Sequence, residues 1–213
     1  MFEGFPGNVS VKVTFKLTNE NAVIINYKAT TDKTTILNLT NHSFFNLNGY
    51  QSGIATGQFV KINADGFTPV DKALIPTGEI KSVSGTPFDF RSYKTIEQDI
   101  KKDDEDLKLG GGYDHNFVLN TKSISEEAAS AYSLESGIKM TVYTDMPGVQ
   151  LYTGNFLDGT QIGKDDKPIN YRTGYCFETQ FFPDSPNQAN FPSCVLKEGE
   201  EYNKTTIYKF DII

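Results

Sequence analysis

The sequence of 213 residues contains no tryptophan, two cysteines and two histidines. It has no apolar run long enough to cross a membrane, and its start, MFEGFPGN, lacks the basic and apolar regions of a signal peptide. Cys176 and Cys194 are too few for a disulfide framework and do not have a zinc-binding spacing, so we expect two buried thiols. The net charge of −7 argues against nucleic acid or an anionic membrane as a partner.

Several kinds of catalytic motif are also absent. No Gly-x-Ser-x-Gly sequence is present, and neither cysteine has a histidine near it along the chain. The glycines at 110–112 lead into a predicted strand, whereas a phosphate-binding loop leads into a helix. We therefore expect acid–base chemistry without a metal or other cofactor.

The residues that are abundant favour strands. The sequence has 16 Phe and 11 Tyr, with many Thr and Asn. VSVKVTFKL (9–17) alternates apolar and polar residues, which predicts a half-buried strand that forms a hairpin with residues 22–30. Residues 36–41 and 58–64 are predicted strands, and only residues 94–112 are predicted to be helical or disordered. Without repeats or an obvious linker, residues 1–213 are predicted to form one antiparallel β-sandwich domain.

The first candidate for chemistry is His42, in NLTNHSFFNLNG (38–49). Histidine has an unperturbed pKa close to neutrality, so His42 is a candidate proton donor. The alternative is a structural histidine at a strand end, with Asn41 and Ser43 as turn formers. Both interpretations remain open from these residues alone.

The second histidine is in GGGYDHNFVL (110–119). Because Asp114 and His115 are adjacent on a predicted strand, their side chains point to opposite faces and do not form one dyad. Asp114 and Asn116 are expected to share a face. Asp114 either accepts hydrogen bonds from sugar hydroxyls or caps a turn.

CFETQFF (176–182) places one carboxylate among aromatic residues. Glu178 is unlikely to face a dry core without a partner, so it faces solvent or lies in a cleft that raises its pKa, where it is a candidate base. Gln150 is a similar polar group in an apolar strand, PGVQLYTGNF (147–156). Aromatic rings combined with amides and carboxylates suit a sugar, whose C–H faces pack on rings and whose hydroxyls need donors and acceptors.

The sequence resembles the aldose 1-epimerases, or galactose mutarotases, along nearly its whole length. The matching segments are EGFPGN (3–8), ATTDK (29–33), NLTNHSFFNLNG (38–49), FTPVDKALIPTGEI (67–80), GTPFDFR (85–91), GYDHNFVL (112–119), PGVQLYTGNFLDGT (147–160) and GYCFETQFFPDSPNQANFPS (174–193). The resemblance implies a large antiparallel β-sandwich of the mutarotase type. It also implies a reaction, the interconversion of α and β anomers of hexoses such as galactose and glucose.

The resemblance further assigns roles to particular residues. Glu178 corresponds to the general base that removes the proton from the C1 hydroxyl, and His42 to the acid that protonates the ring oxygen. Asp114 and Gln150 correspond to positions that hold sugar hydroxyls, and Asn41 lies beside the acid. The implied partner is a small aldohexose. Because no signal peptide is visible, we expect a cytoplasmic protein, and we expect a monomer or weak dimer.

In one respect the sequence departs from the family pattern. The family has a segment before EGFPGN that carries a second active-site histidine and a substrate-binding arginine, and residues 1–213 contain no match to it. The expectation is therefore an N-terminally truncated sandwich with uncovered apolar faces, and weak or absent mutarotation by this chain alone. A carbohydrate-binding module without turnover is the alternative, and a glycoside hydrolase is disfavoured because His42 is a better candidate acid than Asp114.

Overall fold

A computed structural model describes residues 4–213, so Glu3, the first residue of the EGFPGN motif, lies outside the described residues. Fourteen strands account for most of the regular structure. They are β1 Val9–Leu17, β2 Ala22–Thr31, β3 Thr35–Ile36, β4 Phe59–Ile62, β5 Ala64–Thr68, β6 Lys81–Ser82, β7 Lys94–Thr95, β8 Asp114–Leu119, β9 Ala129–Tyr132, β10 Ile138–Thr144, β11 Gly148–Tyr152, β12 Cys176–Gln180, β13 Val195–Leu196 and β14 Tyr202–Ile212. The α-helix α1 spans Glu105–Leu109, and short 3₁₀ helices span Ile96–Gln98, Lys164–Asp166 and Ser185–Asn187.

Twelve of the strands form two antiparallel sheets that pack face to face, as the sequence predicts, and β3 and β13 pair in a separate two-stranded sheet. The first sheet has seven strands in the order β1-β2-β14-β10-β9-β4-β7, and the second has five in the order β12-β11-β8-β5-β6. Residues of both sheets contribute to one hydrophobic core. Polar contacts also join the sheets: the Tyr208 hydroxyl on β14 donates a hydrogen bond of 2.8 Å to the carbonyl of Phe177 on β12. No helix within residues 4–213 has the length and apolar character needed to cross a bilayer.

The predicted strand at residues 9–17 is present, but the prediction that it is half buried is wrong. All nine residues of β1 are exposed. Its apolar residues lie on the core-facing side of the sheet, because Phe15 pairs with Ile25 and Val13 pairs with Tyr27, both of which are buried. The apolar face therefore continues past the area that the second sheet covers, which agrees with the expectation of an uncovered apolar face.

Short-range structure differs from the sequence prediction mainly in residues 36–45. Residues 36–41 were predicted to form a strand, but β3 ends at Ile36. In the following segment a side chain replaces the backbone hydrogen bonds of a strand. The Asn38 amide donates to the carbonyl of Phe181 and accepts from the Phe181 N–H. A hairpin joins β9 and β10 through the turn at residues 133–137. Both cysteines are free and buried, as predicted.

The strand alternation also decides where His115 lies. His115 is fully buried in the core, with its ring centroid 4.8 Å from that of Phe88. Its Nδ1 accepts a hydrogen bond from the Asp114 N–H, and its Nε2 is buried without a partner among the described residues. Burial lowers the pKa of His115 to about 4.

This buried histidine predicts a specific dependence of stability on pH. Because the pKa of His115 is depressed on folding, the unfolded chain binds the extra proton between about pH 6.5 and pH 4, so the free energy of unfolding falls as the pH falls through that window. The contribution of His115 between pH 7 and pH 4.5 is about 2–3 kcal/mol. We expect His115→Asn, which keeps an acceptor near Nδ1 but does not titrate, to flatten this dependence in urea unfolding, with little effect on the proposed chemistry. Identical pH dependence in the parent and the variant would contradict this assignment.

Candidate active site

The second sheet presents a row of polar side chains on the face away from the core. In β12 the residues Cys176, Glu178 and Gln180 alternate with the buried core residues. Gln150 on β11 pairs directly with Glu178 on β12, and on its other side with Asn116 on β8. Directly paired residues of an antiparallel sheet point to the same face, so three strands deliver their polar groups to one surface.

Gln150, Glu178 and Gln180 on this face contribute to the lining of an open pocket of about 380 Å³. Its lining combines carboxylates, amides and aromatic rings, namely His42, Asp114, Gln150, Tyr152, Phe156, Glu178, Gln180 and Pro183. The structure therefore brings together four of the five residues that the sequence singles out: His42, Glu178, Asp114 and Gln150. Gln180, Tyr152 and Phe156 were not predicted, although period-two spacing from Glu178 and Gln150 is a signal that identifies Gln180 and Tyr152.

His42 is held over β12 by a loop that is fastened on both sides of the strand. Asn38 hydrogen-bonds to the backbone of Phe181, just after β12. On the other side, the backbone N–H of Phe45 donates to the carbonyl of Tyr175 at 2.8 Å, and the Tyr175 N–H donates back at 3.0 Å. The segment between these two attachments crosses the strand, and this crossing places the His42 ring above Cys176 and Glu178.

The His42 ring contacts both of these residues. Its Nε2 lies 3.4 Å from Glu178 Oε1, and its Nδ1 lies 3.4 Å from Cys176 Sγ. Aromatic rings support it: the ring centroids of Phe44 and Tyr152 are 5.1 and 5.9 Å away. The side chain remains 54% exposed, so the ring is positioned at the mouth of the pocket and stays accessible to a ligand.

Glu178 is the buried member of this pair. Its side chain is only 10% exposed, and burial raises its pKa to about 7, with His42 lowering the pKa and the negative charge of Asp114 raising it. A carboxylate with a pKa close to neutrality exchanges protons readily at physiological pH. Of the two positions that the sequence left open for Glu178, solvent or a cleft that raises its pKa, the structure has the second.

Asp114 is positioned by the glycine segment that precedes it. Gly112 has φ of +141°, and a Cβ atom there would lie 2.9 Å from the Asn155 side-chain carbon and 2.8 Å from Arg172 NH2. Asn155 donates hydrogen bonds to the carbonyls of Gly110 and Tyr113, and Arg172 donates to the carbonyl of Gly111. The glycines thus leave room for two side chains to hydrogen-bond to the backbone immediately before Asp114. This packing accounts for the GGG sequence, and no phosphate-binding role is needed to explain it.

A chain of amides fixes the remaining polar groups. Gln180 Nε2 donates to Gln150 Oε1 at 3.2 Å, and Gln150 Nε2 donates to Asp114 Oδ1 at 2.9 Å. Burial raises the pKa of Asp114, while the hydrogen bond from Gln150 and the proximity of His42 lower it. The amide orientations follow from this chain, so the pocket presents defined donors and acceptors to a ligand.

Asn41 is the predicted site residue that is not part of the pocket lining. Its Oδ1 accepts a hydrogen bond from the Ser43 N–H at 3.1 Å, a local turn that shapes the loop carrying His42.

A larger cavity of about 810 Å³ lies beyond Phe44, and its lining within the described residues includes neither a histidine nor a carboxylate. The acid–base groups are therefore concentrated in the smaller pocket.

Comparison with known proteins supports the family assignment from both sequence and fold. Residues 1–209 match the family described as aldose 1-epimerase. The chain belongs to the aldose 1-epimerase family. Galactose mutarotase of Homo sapiens is 45% identical over 210 residues, which are 99% of this chain and 60% of that protein. Aldose 1-epimerase of Escherichia coli K12 is 42% identical over 211 residues, covering 98% of this chain and 60% of that protein.

Solved structures of the family have the same fold. An aldose epimerase homologue from C. elegans superposes with a TM-score of 0.87 at 33% identity, covering 99% of this chain and 62% of that chain. A galactose 1-epimerase from Lactobacillus acidophilus gives a TM-score of 0.83 at 33% identity, covering 98% of this chain and 58% of that chain. The chain thus spans about 60% of the length of the curated relatives that it matches.

Proposed function

We propose that this protein interconverts the α and β anomers of an aldohexose, with Glu178 as the general base and His42 as the general acid. The observation that carries the proposal is the pair itself: a buried carboxylate with a pKa of about 7 lies 3.4 Å from an accessible histidine nitrogen, in an open pocket. Relatives named galactose mutarotase support galactose as a substrate. Because the chain spans about 60% of their length, the activity is a proposal for this chain.

The proposed reaction moves two protons on one sugar. The Glu178 carboxylate removes the proton from the C1 hydroxyl, and the electron pair of that O–H bond forms the C1 carbonyl as the bond from C1 to the ring oxygen breaks. His42 gives its proton to the ring oxygen. The open aldehyde turns about the C1–C2 bond and closes from the other face, with Glu178 now donating a proton and His42 accepting one, so the protein ends with the protons it began with.

The close approach of His42 and Glu178 suits this chemistry. The C1 hydroxyl oxygen and the ring oxygen of the sugar are both bonded to C1. The acid and the base must therefore reach two oxygens that share one carbon. An acid and a base whose atoms are 3.4 Å apart fulfil this requirement after a small displacement of the exposed His42 ring. Each such proton transfer typically contributes about 10²–10⁴-fold to the rate.

The other pocket residues are proposed to hold the sugar. Asp114, Gln150 and Gln180 offer carboxylate oxygens and amide groups to hydroxyls, while Tyr152 and Phe156 stack with a ring-centroid separation of 6.3 Å and offer apolar surface to the sugar C–H groups. Asn41 remains a proposed contributor beside the acid, acting through the turn at Ser43.

Polarimetry tests the proposed function directly. Freshly dissolved α-D-galactose or α-D-glucose changes its optical rotation slowly in buffer, and the protein is expected to accelerate this change, only weakly where residues 1–213 are assayed alone. A calorimetric titration with the same sugars separates the alternative: binding without acceleration would indicate a carbohydrate-binding module. If the protein neither binds the sugars nor accelerates the change, both functions are refuted.

Removing the groups that hold the sugar should mainly weaken binding. In Asp114→Asn and Gln150→Ala, sugar hydroxyls lose buried partners, and the expected cost is about 1–3 kcal/mol for each change. We expect KM to rise by about tenfold or more while kcat changes much less. Steady-state polarimetry over a range of sugar concentrations gives both values, and an abolished kcat with unchanged binding would transfer a proton-transfer role to the altered residue.

Further features of the working protein are also proposals. The proposed partner is a small aldohexose, and the net charge of −7 argues against nucleic acid or an anionic membrane. We propose that the protein acts as a monomer or weak dimer in the cytoplasm, which size-exclusion chromatography with light scattering and cell fractionation would test.

A further inference from the structure

Cys176 lies in the pocket region, and the proposed reaction does not use it. It is on the same face of β12 as Glu178, two residues away, and it is fully buried beneath the His42 loop. Its Sγ lies 3.4 Å from Nδ1 of His42. One nitrogen of His42, the sulfur of Cys176 and a carboxylate oxygen of Glu178 all lie within 4.8 Å of one another.

These three ligand atoms lie no more than 4.8 Å apart, which is within about 1.4 Å of the spacing that a tetrahedral zinc ion requires. With zinc bonds of about 2.3 Å to sulfur and about 2.0–2.2 Å to nitrogen and oxygen, tetrahedral geometry separates the ligand atoms by about 3.4–3.6 Å. The sulfur–nitrogen distance of 3.4 Å already fits. The exposed His42 ring needs only a modest rotation to direct one nitrogen toward a point between Cys176 and Glu178.

The surroundings also favour a cation. The negatively charged side chains of Glu178 and Asp114 lie on the same face of the sheet as Cys176, because Tyr152 pairs with Cys176 on one side and with Asp114 on the other. A cation bound at this position would be stabilised by those same charges and would release the thiol proton to solvent on binding. Cys194 is the contrasting case, since it is also buried and free but belongs to no such group among residues 4–213.

We propose that Cys176, His42 and Glu178 form an inhibitory zinc site whose fourth coordination position opens to the pocket. A thiolate and an imidazole select Zn²⁺ or Cd²⁺ over Mg²⁺ and Ca²⁺. Zinc would occupy the lone pairs of the residues proposed as acid and base, so metal occupancy and sugar turnover exclude one another. Only the inhibitory effect rests on the proposed function; binding of the metal does not.

Cobalt and cadmium titrations test the binding without an activity assay. Co²⁺ and Cd²⁺ bound to a thiolate give charge-transfer absorption bands, which we expect at one equivalent in the parent and in the control variant Cys194→Ser. The bands should be absent in Cys176→Ser, and one equivalent of Zn²⁺ should displace Co²⁺ whereas excess Mg²⁺ should not. His42→Gln, which removes one proposed ligand and retains the Cys176 thiol, should weaken zinc binding at least about tenfold.

The outcomes that overturn the proposal are distinct from failure of the proposed function. A band that persists in Cys176→Ser, that depends on Cys194, or that never forms in the folded parent rules out the site. Zinc binding that depends on Cys176 in a protein without mutarotation supports the site and counts against the proposed function alone. Where turnover is present, zinc should inhibit the parent and Cys194→Ser in parallel with occupancy, and turnover unaffected at full occupancy contradicts the inhibitory role.

Discussion

Glu178→Gln is expected to slow the catalysed mutarotation of α-D-galactose by at least about 100-fold. The amide keeps the shape of the side chain and a hydrogen-bonding oxygen, but it does not accept the proton of the C1 hydroxyl. Because Glu178 contacts the reacting atoms only through that proton in the proposed mechanism, sugar affinity should change much less than kcat. Polarimetry and calorimetric titration of parent and variant in the same background give the two quantities.

The pH profile supplies an independent readout for the same variant. A base with a pKa of about 7 is active in its deprotonated form, so the rate of the parent should rise as the pH increases through about 7, and this rise should disappear in Glu178→Gln. Carbon NMR of labelled glutamate can follow the titration of Glu178 even without turnover. Near-normal turnover in Glu178→Gln, or titration of Glu178 near pH 4.5, would remove Glu178 from the role of base.

The stability of Glu178→Gln is the control for folding, and the pKa of Glu178 also predicts the sign of the change in stability. The pKa of Glu178 is raised on folding, so the folded protein binds the extra proton between about pH 4.5 and pH 7, and its contribution to stability is lost as the pH rises through that window. The neutral Gln avoids burying a charge. We therefore expect the melting temperature of Glu178→Gln to equal or exceed that of the parent above pH 7, so that a loss of turnover does not reflect unfolding.

The parts of the site that were predictable from sequence are those that depend on strand alternation. A period of two places Asp114 and His115 on opposite faces, and the structure buries His115 in the core while Asp114 lines the pocket. The same rule applied to β12 groups Glu178 with Gln180 and Cys176. From the sequence we expect Cys176 only to be a buried thiol, because its contact with His42 depends on the loop that crosses β12.

The parts that were not predictable depend on contacts between distant segments. The sequence around His42 was predicted to be a strand up to Asn41, yet the segment leaves the sheet at Ile36 because Asn38 hydrogen-bonds to the backbone of Phe181, 143 residues away. The prediction that β1 is half buried was wrong for a related reason. Alternation reports which side of a strand is apolar, but it carries no information on whether another layer covers that side.

His42→Gln should reduce the catalysed rate by about 100-fold or more, comparable to the loss in Glu178→Gln. Gln preserves a polar group that can hydrogen-bond to Glu178, so packing of the loop and contact with the carboxylate are largely retained, but the amide does not transfer a proton to the ring oxygen. His115→Asn is the matched control, since it removes the only other histidine of the chain, which is buried on β8, whereas His42 lies on a loop above β12. Its kcat should stay within about threefold of the parent, because it contacts no sugar atom in the proposed mechanism.

The comparison of the two histidines separates proton transfer from structure. If His42 only supports the loop that carries it, both variants should show similar and small losses in kcat. If His42 is the acid, kcat should fall in His42→Gln while the affinity for sugar changes little, and His42→Lys, which restores a proton donor of different pKa, should recover part of the rate with a shifted pH profile. Full activity in His42→Gln would leave His42 as a support for the loop and would assign the proton donor to another group or to water.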